Sequence, residues 1–213
     1  MINKIKMKKE SLNRKKEIEQ YMANVSQNWL NILIPFSYDY TKKFSGSELS
    51  KILKIPQRSV SRYLSQIVGG NLLRFEIRGK NKFYYLDLEN NRTKILLNLI
   101  ESFKSFKFSL NTKLWKDLDL LIKYGDVVLF GSQVKGYSTS SSDIDVVIFA
   151  KNTEKLKKTL RNLPKIQAQI ISFDNFKTLV LKKDSLAIEI LKNHIVFGDI
   201  QKFIELCWGY YNG

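Results

Sequence analysis

The sequence predicts an α+β / α/β chain in two units: a helical unit closed by a β-hairpin, then a small mixed sheet with flanking helices. Three observations carry this expectation. Between Trp29 and Leu88, capped helix signals give way to two strand-like runs around a glycine turn. From Val127 onward, short apolar runs alternate with stretches of helical period. The 213 residues are 44% hydrophobic and 26% charged, which suits a globular chain with a real core.

A formal charge of +16 is not ordinary. It points to partners that carry phosphates, namely DNA, RNA or nucleotides, beside a general richness in lysine. The excess is spread along the chain, with 17 Lys+Arg against 8 acids in residues 1–90 and 19 against 12 in residues 91–213. Cys207 is the one cysteine, which excludes an intrachain disulfide and a thiolate zinc cluster and fits a reducing interior. No apolar run approaches a membrane span, and the basic N-terminus lacks the apolar block of a secretion signal. The expectation is a cytoplasmic protein with no membrane partner.

Residues 1–24 mix Lys and Glu around scattered apolar positions, and read either as an exposed helix or as a basic arm. The next segment, 25–90, opens with Trp29 to Tyr40, apolar enough for a buried helix, with Pro35 near its start or kinking it. Ser45-Gly46-Ser47-Glu48 supplies a turn and an N-cap before Leu49, Ile52 and Leu53. Ile55-Pro56 breaks that helix and starts another, which buries Val60, Tyr63, Leu64 and Ile67 and stops at Gly69-Gly70. Its opposite face carries Gln57, Arg58, Ser61, Arg62 and Ser65, types that reach base edges and phosphates. Leu72 to Arg78 and Lys82 to Leu88 then read as a hairpin around Gly79-Lys80-Asn81, charged by Arg74, Arg78, Lys80 and Lys82.

Two short helices with a tight turn, followed by a basic hairpin, resemble the winged helix-turn-helix DNA-binding domain. The resemblance implies an operator-type DNA duplex as partner. Contacts would come from Gln57, Arg58, Ser61 and Arg62 on the second helix and from Arg78, Lys80 and Lys82 on the hairpin. The same unit could instead pack on a protein partner.

Asn90-Asn91 marks a boundary. Segment 91–124 holds two connecting helices, Thr93 to Lys107 and Trp115 to Lys123. Segment 125–213 begins with the strand ending in Phe130 and continues through Gly131-Ser132, a connection, and a second strand that opens with Asp143 and Asp145 and runs to Ala150. The order after that is a helix from Thr153 to Leu163, a strand from Ile166 to Phe173 and a short helix from Phe176 to Leu181. Then come a helix from Ser185 to Lys192 capped by Asp184, a strand from Ile195 to Phe197 and a last helix from Ile200 to Trp208. His194, the single histidine, reads as part of a surface turn without a role, and Trp208, Tyr210 and Tyr211 as a docking or packing tail.

The chemistry gathers between the first two strands of this segment. Gly131-Ser132 can offer backbone N–H groups and a hydroxyl to phosphate oxygens. Asp143 and Asp145, two apart, share one face of a strand and make a seat for a hard divalent cation. Glycine-serine, ten residues, then Asp-x-Asp resembles the signature of the DNA polymerase beta-type nucleotidyltransferase superfamily, and most of all its minimal nucleotidyltransferases. Leu129-Phe130, Lys135-Gly136 and Ser142 agree with that pattern, with Lys135 where many relatives carry arginine.

The resemblance implies ATP held by Gly131, Ser132, Lys135 and Ser142, with Mg²⁺ or Mn²⁺ on the catalytic pair Asp143 and Asp145. A winged-helix fusion matches an arrangement of archaeal members. Minimal members pair with a small helical HEPN-type protein as antitoxins, and some transfer AMP to it. The oligomeric state stays open, a homo-oligomer included. One departure stands out: relatives carry a third carboxylate on the following strand, where this chain has Gln167 and Gln169, with Asp174 beyond. Glutamine cannot accept a proton at neutral pH. The alternative to a transferase is therefore a non-catalytic winged-helix regulator or antitoxin that binds nucleotide or partner.

Overall fold

The first element is a helix, α1 (Gln27–Tyr38), whose residues Trp29, Ile32, Leu33 and Phe36 are buried. The computed structural model of the chain describes residues 27–212 except 112, 137–138, 140–141 and 152; the arm expected over 1–24 lies outside them. Pro35 stands in the last turn of α1 rather than near its start.

The short strand β1 (Phe44–Ser45) leads into α2 (Gly46–Leu53), where Ser45 and Glu48 form a reciprocal capping box. Lys54 closes α2 in the left-handed region, and Pro56 then opens α3 (Gln57–Gly69). Val60, Leu64 and Ile67 bury one side of α3, a stripe at spacings four and three. The hairpin β2 (Leu73–Arg78) and β3 (Asn81–Leu86) pairs Arg78 with Asn81, so its turn is Gly79-Lys80 alone. Gly79 takes a positive φ of 59°, as a two-residue hairpin turn requires. Pairing of β1 with β3 completes a three-stranded antiparallel sheet, order β1-β3-β2.

The long helix α4 (Asn91–Asn111) and then α5 (Trp115–Ile122) connect to a second sheet. Its strands are β4 (Asp126–Leu129), β5 (Ile144–Phe149), β6 (Ile166–Ile171) and β7 (Ile195–Phe197), in the order β6-β5-β4-β7. Only β5 and β6 run parallel, joined by the crossover helix α7 (Glu154–Arg161). The single turn α6 (Ser132–Lys135) follows β4. The helices α8 (Phe173–Leu181), α9 (Ser185–Lys192) and α10 (Ile200–Asn212) complete the chain.

Period-two alternation divides this sheet between two cores. Leu129, Val146 and Ile148 face a cluster with Leu118, Leu121 and Leu156 from α5 and α7. Val128, Val147 and Val196 face the other way, into a cluster with Phe176, Ile190 and Phe203. That second cluster continues without a break through Ile100 on α4 to Phe36, Leu49 and Leu64. One apolar core thus ties the helix–hairpin unit to one face of the second sheet.

A polar group lies inside this junction and corrects the expectation for His194. The ring is fully buried, packed at a tilt against Phe203, with Nδ1 3.1 and 3.0 Å from the carbonyls of Ile190 and Leu191. Two carbonyl neighbours leave Nδ1 the role of donor. Its Nε2 stands 3.2 Å from the Glu101 carboxylate, which also takes Lys104 Nζ at 2.7 Å. Glu101 is 0% exposed and Lys104 3%. Burial alone would raise the Glu101 pKa, but Lys104 and His194 outweigh it and hold it at about 2. Lys104 also reaches Ser37 of α1 at 3.3 Å, so the network joins α1, α4 and the start of β7. The aromatic tail serves packing: Tyr211 stacks on Tyr40 at 5.0 Å.

Candidate functional site

The site forms where β4 ends beside the start of β5. The ladder pairs Leu129 with Val146, and the Phe130 N–H continues it by donating to the Asp145 carbonyl at 3.1 Å. The next residue, Gly131, turns away with φ 72° and ψ −147°, a conformation open to glycine almost alone. A Cβ built on it would stand 2.4 Å from Asp145 Oδ2. The glycine therefore meets two demands at once, a sharp exit from the strand and room for the carboxylate. Gly131 then begins α6 by accepting from the N–H groups of Val134 and Lys135 at 3.2 and 3.1 Å. Gly136, also at positive φ, ends that turn.

Asp143 is exposed just ahead of β5, and Asp145 is half-buried within it. Between them Ile144 is buried on the opposite face, so strand alternation alone aims both acids to one side. The Asp145 carboxyl is pushed above the usual carboxylate range by its burial first, then by the charges of Asp143 and Glu189. A seat of crowded carboxylate oxygens is relieved by a cation. Oxygen donors of this kind suit a hard divalent ion, so Asp143 and Asp145 fit the group that the motif implies.

Lys135 sits at the end of α6 and forms an ion pair with Glu189 of α9 at 2.6 Å. Ser132 is half-buried in the turn. The Ser142 hydroxyl accepts from the Thr139 N–H at 2.9 Å and so closes the chain just before Asp143. The structure thus brings Gly131, Ser132, Lys135, Asp143 and Asp145 to one end of the sheet, with Ser142 supporting the approach to the acids.

The third acid is a different matter. The β5–β6 register sets Gln167 directly beside Asp145 and Gln169 beside Val147, both exposed at the sheet edge. Asp174 lies in the first turn of α8, past the far end of β6 and so at the opposite end of the sheet from Asp145. Among the described residues no cluster of three or more His, Cys, Asp or Glu could hold a metal. The carboxylate that does approach is Glu189, which sequence reading missed. Its helix is fixed by Asp184, which accepts from the N–H groups of Leu186 and Ala187 at 3.1 Å each. The only sequence signal was an acid on an otherwise apolar helix, Ser185-Leu-Ala-Ile-Glu-Ile-Leu-Lys192, and nothing in it names the partner 54 residues away.

The residues expected to meet DNA stay apart from this site. Gln57, Arg58, Ser61 and Arg62 are exposed along one face of α3, and Lys80 and Lys82 are exposed on the hairpin. Lys82 lies over the Phe75 ring and Arg78 over Phe83, where Arg78 also pairs with Glu76. Arg74 is tied to Asp87 and Glu89 at 3.1 and 2.8 Å, so the hairpin carries less unpaired charge than its composition suggests. Among the described residues, no helix is long and apolar enough to cross a membrane.

Residues 122–201 match the family described as Polymerase beta, Nucleotidyltransferase, a segment that contains β4 to β7 and every residue of the site above. The match supports similarity to the DNA polymerase beta-type nucleotidyltransferase superfamily and nucleotidyltransferase-type chemistry, which in such domains uses a divalent metal and a nucleoside triphosphate. No curated protein and no solved structure matches the chain.

Proposed function

We propose that the chain is a minimal-type nucleotidyltransferase that uses Mg²⁺ or Mn²⁺ to transfer AMP from ATP to a protein hydroxyl, and that its N-terminal unit binds operator-type DNA. The observation that carries the first part is the contact of Asp145 with Gly131, which unites the two halves of the motif at one strand end. Asp143 and Asp145 would hold the metal, which when bound neutralises charge on the triphosphate. The Gly131-Ser132 turn and Lys135 give the phosphates hydrogen bonds and a point charge. In the reaction the acceptor oxygen attacks the α-phosphorus, and the bond to pyrophosphate breaks as pyrophosphate leaves.

The order of α1, β1, α2, α3 and the β2–β3 hairpin supports a winged-helix reading for residues 25–90. The exposed Gln57, Arg58, Ser61 and Arg62 form its groove-facing side, and Lys80 and Lys82 flank it on the wing. With such a module attached, the acceptor that fits is a partner protein of the HEPN type, neutralised by the modification, while DNA binding controls expression of the pair.

A second reading has its own observation. Gln167, not an acid, stands beside Asp145, which favours a regulator or antitoxin that binds nucleotide without transferring it. One experiment separates the two: α-labelled ATP, Mg²⁺ and a candidate HEPN-type partner, with the wild-type chain and with Asp143→Asn plus Asp145→Asn. Label on the partner that disappears with the double variant supports transfer. Nucleotide binding without label removes the transferase and leaves the binder. Label that persists in the double variant refutes the site.

A further inference from the structure

The helix α4 is apolar on two opposite sides. Leu96, Leu97 and Ile100 are buried in the junction core, while Ile95, Leu99, Phe106 and Leu110 remain 72%, 48%, 62% and 68% exposed. At 100° per residue these four fall within about 60° of arc, on the side away from the buried face. Isolated exposed apolar residues are normal, but four large ones aligned along four turns of one helix form a contiguous patch.

The spacing of the patch says what covers it. The intervals from 95 to 99, 99 to 106 and 106 to 110 are four, seven and four residues, a palindrome centred beside Ser102. Two copies of α4 crossing antiparallel therefore set Ile95 opposite Leu110 and Leu99 opposite Phe106, each pair repeated by the twofold axis. A second copy of the same helix meets this register by symmetry, as a self-complementary twofold interface requires. Ser102, the small residue at the centre, lets the helices approach, and its hydroxyl already donates to the Asn98 carbonyl at 2.8 Å. Burying it strands no polar group. Antiparallel packing also opposes the helix dipoles favourably. The four side chains leave on the order of 400–500 Å² of surface per copy, so full burial on both copies removes about 800–1,000 Å², the lower edge of what a specific interface needs.

We propose that the chain is a twofold-symmetric homodimer through the outer face of α4, with Ile95, Leu99, Phe106 and Leu110 as the interface core. The proposal stands independently of the transferase reading. Its consequence for DNA is geometric: two α3 helices related by a twofold axis suit a site of two inverted halves.

Sedimentation of the full chain across a micromolar dilution series tests it. The expected result is a species of twice the 24.9 kDa chain mass. Leu99→Glu with Phe106→Glu should convert it wholly to monomer with an unchanged far-ultraviolet spectrum. A wild-type monomer at every concentration overturns the proposal, and so does a dimer that survives both charges. Should the double variant fail to fold, cross-linking decides. Cys207 is buried, so Ser102→Cys adds the accessible thiol, with Ile52→Cys on α2 as an exposed control. Under an added oxidant, a disulfide-linked dimer from Ser102→Cys and none from Ile52→Cys supports the interface. No cross-link at position 102, or equal cross-linking at both, overturns it.

Discussion

Gly131→Ala perturbs the proposed site at its tightest point. Its φ of 72° with ψ −147° lies where a side chain is strained by about 1–3 kcal/mol. The new Cβ would also stand 2.4 Å from Asp145 Oδ2, so the carboxylate must leave its place, at a rotamer cost of about 0.5–1.5 kcal/mol. Together the two effects destabilise by about 2–4 kcal/mol, and for a chain of this size Tm falls by about 5–15 °C. Gly136→Ala is the matched control: it too sits at positive φ, 78°, but nothing lies within 4 Å of its added Cβ. It should cost about 1 kcal/mol, with no displacement of the acid. Thermal unfolding with and without Mg²⁺–ATP reads both consequences. Ligand at a hundredfold excess over Kd stabilises the wild type by about 2.7 kcal/mol. Gly136→Ala should keep that rise and Gly131→Ala should lose it. A Gly131→Ala protein that unfolds with the wild type and retains the full ligand response would refute the reasoning.

Other outcomes follow from the same geometry. Because the Asp145 pKa is raised, its ionised form opposes folding above the ordinary carboxylate range, and the opposition fades as pH falls through the raised value. Asp145→Asn should therefore raise Tm at pH 7 in metal-free buffer and abolish the rise produced by Mg²⁺; calorimetry checks both signs. Lys135→Ala should weaken ATP binding, whereas Glu189→Gln, which releases Lys135 from its ion pair, should strengthen it. In the double variant the gain should vanish, and independent additive effects would exclude the coupling. Glu101→Gln strands the Lys104 ammonium in the core without its counter-charge and should cost about 3–5 kcal/mol by urea unfolding, far more than a surface ion pair. The Glu101 contribution is fully present above pH 4.5 and lost as pH falls toward about 2, so acid unfolding of the wild type should steepen in that window and that of the variant should not. Arg58→Ala with Arg62→Ala should weaken operator DNA binding and flatten its salt dependence; an unchanged slope would point to a protein-docking face.

Much of this chain is written in local signals. Ser45 three residues before Glu48 and Asp184 before α9 cap their helices as their positions suggest, and Pro56 stands immediately before α3 without a side-chain cap, because such signals involve only neighbours in sequence. Asp143, just ahead of β5, and Asp145 within it share one side for an equally local reason, the two-residue period of extended backbone. Gly131 is legible as a turn. What local signals could not convey is its second role, because the carboxylate it makes room for arrives from the neighbouring strand.

His194 shows where such reading stops. Its neighbours Lys192 and Asn193 suggest a surface, yet α4 brings Glu101 and Lys104 over it from 90 residues or more away and closes the core around all three. Glu189 is the converse case, an unremarked helix residue that packing turns toward Lys135 and Asp145. By itself, then, the sequence determined most of the elements, several of their caps, the turn at Gly131-Ser132 and the pairing of the two acids; the short β1 and α6 were not legible in it. Only the tertiary structure decided that Glu189 pairs with Lys135, that Gln167 lies beside Asp145, and that one face of α4 is exposed among the described residues. Those are matters of which distant surfaces meet, and the energy of burying them depends on the assembled packing that no short stretch of residues encodes.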